Sequence, residues 1–513
     1  MSALNPNTPV LVGVGQVVDH WDGADAAIAP DPARLRAIAG QRALVDSGAA
    51  ETLAASIDRV VVIRTMADSI PGAPQPFGRC ATPAATLAAD LGIAAARSTY
   101  SVVGGDQPQA LVNEAAAAIH AGEARAVLIA GGEATAAFKA AQRAGHMLDW
   151  SRGVAAAEED RGFGKPLLSA YDIANGLGAP VITYPAFEHA LRGRLGVSRR
   201  DYARRMAQLW ARFSGIAATN PYSQFPVERS VDFLMTPSPE NYPVADPYLK
   251  WHVAQDAVNQ AAAVILTSVG EADRLGIAPE HRVFLHGHAE AAERVPSERP
   301  DLSRSRAVEL VLARALAATG IGVESLAEID LYSCFPCAVL IAAEALGVDP
   351  LARDLTVTGG LPFFGGPGNS YSLHAIASMV ERLRAARDGF GLVLANGGFL
   401  SKQAAGVYAA VPPRDWAPVD NGAIAAEILA APVPQLLSGA GEATITSYSV
   451  SFAKGAPTRG YVIGATEAGG RVIARVRRDD TAMLAALLAD DPIGRRVRTD
   501  IDGSANVIAE LLP

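Results

Sequence analysis

Apolar residues in the first 130 positions fall into short solid runs separated by stretches of helical spacing. PVLVGVGQ (Pro9 to Gln16) and IDRVVVI (Ile57 to Ile63) read as buried strands, and the segment around Arg34 to Asp46 between them carries the periodicity of a helix. The order returns past the middle of the chain. RVFLHGHAE (Arg282 to Glu290), a helix around Arg306 to Ala318 and IDLYSCF (Ile329 to Phe335) repeat it. A second pair of features recurs as well. The helix Ala110 to Ala121 leads into ARAVLIAGGEA, and the helix His374 to Ala386 leads into FGLVLANGGFL. Near-continuous apolar runs suit strands covered on both faces, so the pattern predicts two similar α/β halves, residues 1–270 and 271–411.

Between the repeats, residues 135–248 form an insertion of different character, with amphipathic helical stretches (RRDYARRMAQLWARFS) and dense Tyr, Trp and Phe. Two uses are open for it: a substrate-facing lid, or packing against the core. After VPPRDW the prolines mark a linker. EATITSYSVSF, RGYVIGAT and GRVIARV then predict a small antiparallel, OB-like barrel over residues 417–513.

The stretch Val357 to His374, VTGGLPFFGGPGNSYSLH, opens an apolar helix with a glycine-rich turn. Such a turn can present backbone N–H groups at a helix N-terminus to a phosphate, a carboxylate or a developing oxyanion. It can also simply join a strand to a helix. The GVG of Gly13 to Gly15 is not a dinucleotide fingerprint, because the third glycine and the helix directly after it are missing.

Composition narrows the partners. Half of the 513 residues are hydrophobic and the net charge is -9, which argues against nucleic acid. No apolar run is long enough to span a membrane, and MSALNPNTPV lacks a basic segment followed by an apolar one, so a cytoplasmic location is expected. Cys80, Cys334 and Cys337 make no disulfide framework. Cys334 and Cys337 form a CxxC without a second pair, and His286 and His288 have no third ligand nearby. Buried thiols and no metal are the expectation.

AIHAGEARAVLIAGGEA, VNQAAAVILTS, IDLYSCFPCAV and VTGGLPFFGGPGNS, in that order on duplicated halves, resemble the thiolase superfamily from about Pro9 to Ala410. With the extra C-terminal domain, the chain is most similar to the thiolase-like protein type 1 and sterol-carrier-type group, often labelled acetyl-CoA acetyltransferase. The resemblance implies a duplicated, five-layered αβαβα fold with a coenzyme A thioester as substrate or ligand and no covalently bound cofactor. A thiolase pairs a nucleophilic cysteine with a histidine and an acid/base cysteine. Carried over position by position, the nucleophile falls on Gly104 or Gly105, the histidine of Gly-His-Pro on Gly366, and the second cysteine on Ala395. The residue that holds the catalytic water becomes Tyr332.

The resemblance leaves Tyr332, His374 and Asn396 as the candidates for replacement chemistry. Gly104, Gly105, Asp106, Asn369, Gly366, Gly397 and Gly398 are the candidates for binding. Two functions stand: an acyl-CoA-dependent acyltransferase working with non-standard residues, or a non-catalytic binder of coenzyme A or acyl-CoA. Thiolases usually dimerise through the strand that here reads STYSVVGG, so a homodimer is open. The resemblance also allows a monomer, and the barrel offers a surface for a protein partner.

Overall fold

The computed structural model describes residues 4–512. In the first half, β1 (Pro9–Val18), α1 (Pro32–Asp46), β2 (Arg59–Val62), β3 (Arg97–Tyr100), α2 (Gln107–His120) and β4 (Ala126–Ala134) follow one another. Then come the insertion, with its long helices α3 (Pro180–Leu195) and α4 (Arg199–Thr219), and β5 (Asn259–Ser268). The second half contains β6 (Val283–Ala292), α5 (Arg306–Ala317), β7 (Leu326–Leu331), α6 (Pro336–Leu346), α7 (Tyr371–Ala386), β8 (Phe390–Gly397) and β9 (Lys402–Ala409).

The strand order is β7-β8-β9-β6-β1-β5-β4-β2-β3. Read outward from the β6/β1 junction, both directions give the same sequence of roles. β1 and β6 meet antiparallel through Val10 with Phe284 and Leu11 with Val283. β2 runs parallel to β4 as β7 does to β8, and β4 antiparallel to β5 as β8 does to β9. β3 alone lacks a regular counterpart. There the second half offers an irregular segment whose Leu355 carbonyl accepts a 2.9 Å bond from Leu331 N.

Burial divides these elements into layers. Side chains of α2 and α7 share one core with the inner faces of both half-sheets, including Leu111, Ile129, Val264, Leu285, Ile376 and Val393. α1 covers the outer face of the first half-sheet, and α5 with α6 covers that of the second. The result is the five-layered αβαβα arrangement. α1 starts where Asp31 caps it, its carboxylate accepting from Arg34 N at 2.8 Å, with Pro32 at the first turn. Gly13 and Gly15 lie directly under the Ala43 and Ala39 carbonyls of α1 and leave no room for a Cβ. Close helix-on-strand packing therefore accounts for the GVG.

The insertion's aromatics resolve toward packing: Tyr184, Phe187, Tyr202, Trp210 and Phe213 are buried in the core shared with α5 and α6. In the tail, the strands Gly441–Ala453, Ala456–Ala465, Arg471–Arg475, Ala505–Leu511 and Arg496–Asp502 pair in that cyclic order, and the last pairs back onto the first. A helix, α8 (Thr481–Ala489), lies between the third and fourth strands in sequence, and the ring has its own apolar core.

This tail is stitched to the insertion. Ser451 pairs with Ala245, Ser447 Oγ donates to the Ala186 carbonyl at 2.6 Å, and Arg192 grips Asp491 through two bonds of 2.6 and 2.7 Å. Tyr448 donates to Asp246 at 2.7 Å and stacks on His189 with ring centres 3.9 Å apart.

Candidate ligand site

Gly104 and Gly105 close the loop between β3 and α2, at the end of the inner helix layer. Across from them, the end of β7 presents Tyr332 and the end of β8 presents Asn396. The Tyr332 hydroxyl stands where a Cβ on Gly105 would go, and the Asn396 carbonyl would lie 2.6 Å from it. Tyr332 is itself buried, in edge contact with Tyr371 (5.5 Å), and burial holds its phenol well above the ordinary range. The side-chain space of Gly105 is thus filled by protein.

The neighbouring backbone is equally committed. Gly104 N donates to Asn369 Oδ1 at 3.1 Å, while the Asn369 amide donates to Arg64 O (2.8 Å) and Ser69 Oγ (2.9 Å). Gly366 N donates to the Gln255 carbonyl at 2.8 Å. The Gly398 carbonyl accepts from Tyr184 (3.1 Å), whose ring stacks on Phe335 at 4.1 Å. Asn396 donates to the same Tyr184 hydroxyl (2.9 Å) and accepts from Gln403 (2.9 Å). Gly397 is bare because the Asp106 carboxylate presses against it. Asp106, 5% exposed, is ion-paired with Lys402 at 3.2 Å and accepts from Gln107 at 2.9 Å.

Of the three residues expected to carry replacement chemistry, only Tyr332 brings its side chain to Gly105; Asn396 reaches it with its backbone carbonyl while its side chain is held by Tyr184 and Gln403, and His374 is placed apart. Its ring meets Gln16 (Nδ1 to Oε1, 2.9 Å) and Phe364 (5.1 Å), it is fully buried, and burial depresses its pKa to about 3. It is a neutral core histidine bridging the halves. Burial pushes the Cys334 thiol up to about 12 and Cys337 well above its ordinary value, so both stay protonated. Cys337 N caps onto Glu188 at 2.8 Å, and Glu188 also accepts from Tyr202 and Tyr248. The CxxC is structural.

Sequence reading missed a cavity of about 530 Å³ beside this centre. Lys139, Arg229 and Lys250 bring positive charge to it, and Phe225, Tyr242 and Trp251 bring aromatic faces. The Arg229 guanidinium lies 3.7 Å from the Trp251 ring centre, and Lys250 lies 5.0 Å from it. Lys139 pairs with Asp256 at 2.7 Å, whereas no carboxylate among the described residues is within ion-pair distance of Arg229 or Lys250. From this wall the chain runs through Ala254 and Gln255, whose N–H groups donate to Cys334 O (3.1 Å) and Leu361 O (3.2 Å). The Gln255 carbonyl in turn accepts from Gly366 N, so the cavity wall is bonded to the glycine-rich turn. The mixture of Lys, Arg and aromatics in residues 225–251 was the available signal.

A family model described as the thiolase-like protein type 1 additional C-terminal domain matches residues 424–504. Among solved structures, a monomeric SCP2-thiolase-like protein type 1 from Mycobacterium smegmatis is similar over 99% of this chain and 100% of its own, at 35% identity and a TM-score of 0.84. An Ltp2-ChsH2(DUF35) aldolase (16% identity, 79% of this chain and 98% of its own, TM-score 0.58) shares the fold. So does an acetyl-CoA acetyltransferase from Syntrophomonas wolfei (14% identity, 79% and 100% covered, TM-score 0.56). No curated protein matches the chain.

Proposed function

Because the chain belongs to the SCP2-thiolase-like protein type 1 family, we propose that it binds an acyl-coenzyme A and forms no acyl-enzyme with it. The observation that carries this reading is the Tyr332 hydroxyl in the side-chain space of Gly105. Covalent acyl transfer needs an activated thiolate, a base for the α-proton and free donors for the oxyanions. The position of the nucleophile is glycine, and His374 is a neutral core residue facing Gln16 and Phe364. The amides of Gly104 and Gly366 already have acceptors.

Binding has separate support. Arg229 and Lys250, with no carboxylate among the described residues within ion-pair distance, suit phosphates, and the half-buried Phe225 and exposed Tyr242 rings suit a purine. The pantetheine arm would then follow Ala254 and Gln255. Isothermal titration with coenzyme A and acetyl-CoA tests the reading, followed by intact mass after acetyl-CoA incubation. Binding is expected in the wild type, weakened by roughly 1.5–3 kcal/mol in Arg229→Ala, with no covalent adduct. Absence of binding at millimolar ligand, or a stable adduct on Cys334 or Cys337, overturns it.

A further inference from the structure

Arg36 on α1 is 2% exposed, and its Nε and Nη1 atoms are buried without any hydrogen-bond partner. No carboxylate among the described residues lies within 4.0 Å of it. Its charge is met only at longer range, by Glu133 and Glu158, and a buried guanidinium without a close partner costs several kcal/mol. A ligand carboxylate would supply that partner.

Arg36 lines a cavity of about 290 Å³ on the outer face of the first half-sheet, beneath the segment Met66 to Arg79. The walls are mainly apolar. Phe77, Phe138 and Trp150 form an aromatic set there, with Phe77 in edge contact with the other two at 5.4 and 5.5 Å. The other charges at the walls are engaged. Asp68 accepts from Tyr100 (2.7 Å) and Gln75 (2.8 Å) and faces Arg79 (3.8 Å), and Lys139 faces Asp256 (2.7 Å). Glu133 also borders the cavity, where its carboxylate accepts from Met66 N at 2.6 Å. Burial lifts its pKa to about 7, so near neutrality it can also donate a proton to a ligand oxygen.

We propose that this cavity is a second ligand site, for a small monocarboxylate with an apolar body, whose carboxylate pairs with Arg36. Planar guanidinium and planar carboxylate match in a bidentate pair, the aromatic walls take the body, and the volume sits at the small end of ligand pockets. The proposal does not rest on the coenzyme A reading, although the two cavities adjoin at Lys139 and Asp256. The covering segment is tied to the glycine-rich turn, since Asn369 donates to Arg64 O just before the segment and to Ser69 Oγ within it.

Titration calorimetry with hexanoate and benzoate, against hexanamide and inorganic phosphate, tests the proposal. Hexanoate is expected to bind at least roughly tenfold tighter than its amide, the loss of one charged pair. Arg36→Met should abolish the carboxylate preference, with folding checked by circular dichroism. Ala73→Trp, which fills the cavity from the half-buried covering segment and leaves Arg36 in place, should abolish binding by itself and decides the matter if Arg36→Met fails to fold. Equal binding of amide and acid, no binding of either acid at millimolar concentration, binding of phosphate in place of hexanoate, or hexanoate retained in Ala73→Trp overturns the proposal.

Discussion

The Tyr332 hydroxyl occupies the volume that a side chain on Gly105 would need. A cysteine introduced there would have no room for its side chain. Gly105→Ala should destabilise the chain by roughly 1–3 kcal/mol as an overpacking substitution. Part of that loss, about 1 kcal/mol, should vanish in a Tyr332→Phe background, because the two sites compete for one space. Urea unfolding of the four variants measures the coupling. Strict additivity would show that the Gly105 backbone, and not Tyr332, sets the cost.

Thiol reactivity should be confined to Cys80. Cys334 and Cys337 are buried and protonated, while Cys80 is half-buried and only loosely bonded to Thr86 at 3.4 Å. Native alkylation with iodoacetamide, read by peptide mass, should label at most that one residue. The other two should label only in denaturant.

Glu133 makes the protein's stability fall as pH rises through a defined window. Its folded pKa of about 7 exceeds the ordinary 4.5, so between these values the folded state holds a proton that the unfolded state has lost. The penalty grows from pH 4.5 upward and is complete above about 7, where it reaches roughly 3 kcal/mol at 1.36 kcal/mol per pH unit. Glu133→Gln keeps an acceptor for Met66 N and removes the ionisation. Its unfolding free energy should match the wild type near pH 4.5 and exceed it at pH 8.

A monomer is expected in solution. The outer edge of β3, the strand through which a thiolase would pair with its copy, is taken by Glu159 and Asp160, which bridge to Thr99 and Tyr100. Arg161 fixes that short strand through bonds of 2.7 and 2.8 Å to Glu114. Multi-angle light scattering at micromolar concentration should return one chain mass, and a stable dimer would contradict the reading.

Arg192 is almost fully buried, and its forked contact with Asp491 joins α3 to the tail. Arg192→Ala should cost about 1–2 kcal/mol, because Asp491 is exposed and can be hydrated once its partner is gone. Asp491→Ala should be at least as damaging, because it strands the buried guanidinium. Thermal unfolding of both variants checks the order.

The duplication was legible because it is written in local patterns. Pro9–Val18 and Val283–Ala292 both open on apolar runs, and β4 and β8 are apolar strands that both run into a Gly-Gly. The state of the site was less legible, because it depends on contacts between distant residues. The resemblance put the nucleophile on Gly104 or Gly105, yet nothing near Tyr332 in sequence says that its hydroxyl fills the side-chain space of Gly105. The Asp106–Lys402 pair joins the two halves of the chain. Glu159–Asp160 is a strand of two residues, too short for any period to reveal. His374 looked like a base because its residue type titrates near neutrality, and only its burial against Gln16 and Phe364 removes it from that role. The isolation of Arg36 is a property of what fails to approach it, which no local pattern encodes.

The stitching of the tail to the insertion also sets an order of assembly. Residues 243–249, the hairpin that pairs with Ser451, lead directly into Lys250 and Trp251 of the cationic cavity. On a growing chain, that hairpin emerges some two hundred residues before its partner strand and must wait with an open edge. The two halves can close around their inner helices while the cavity wall is still unfinished. A nascent or clipped protein lacking its final hundred residues would then carry the layered core with the hairpin beside Lys250 and Trp251 unpaired.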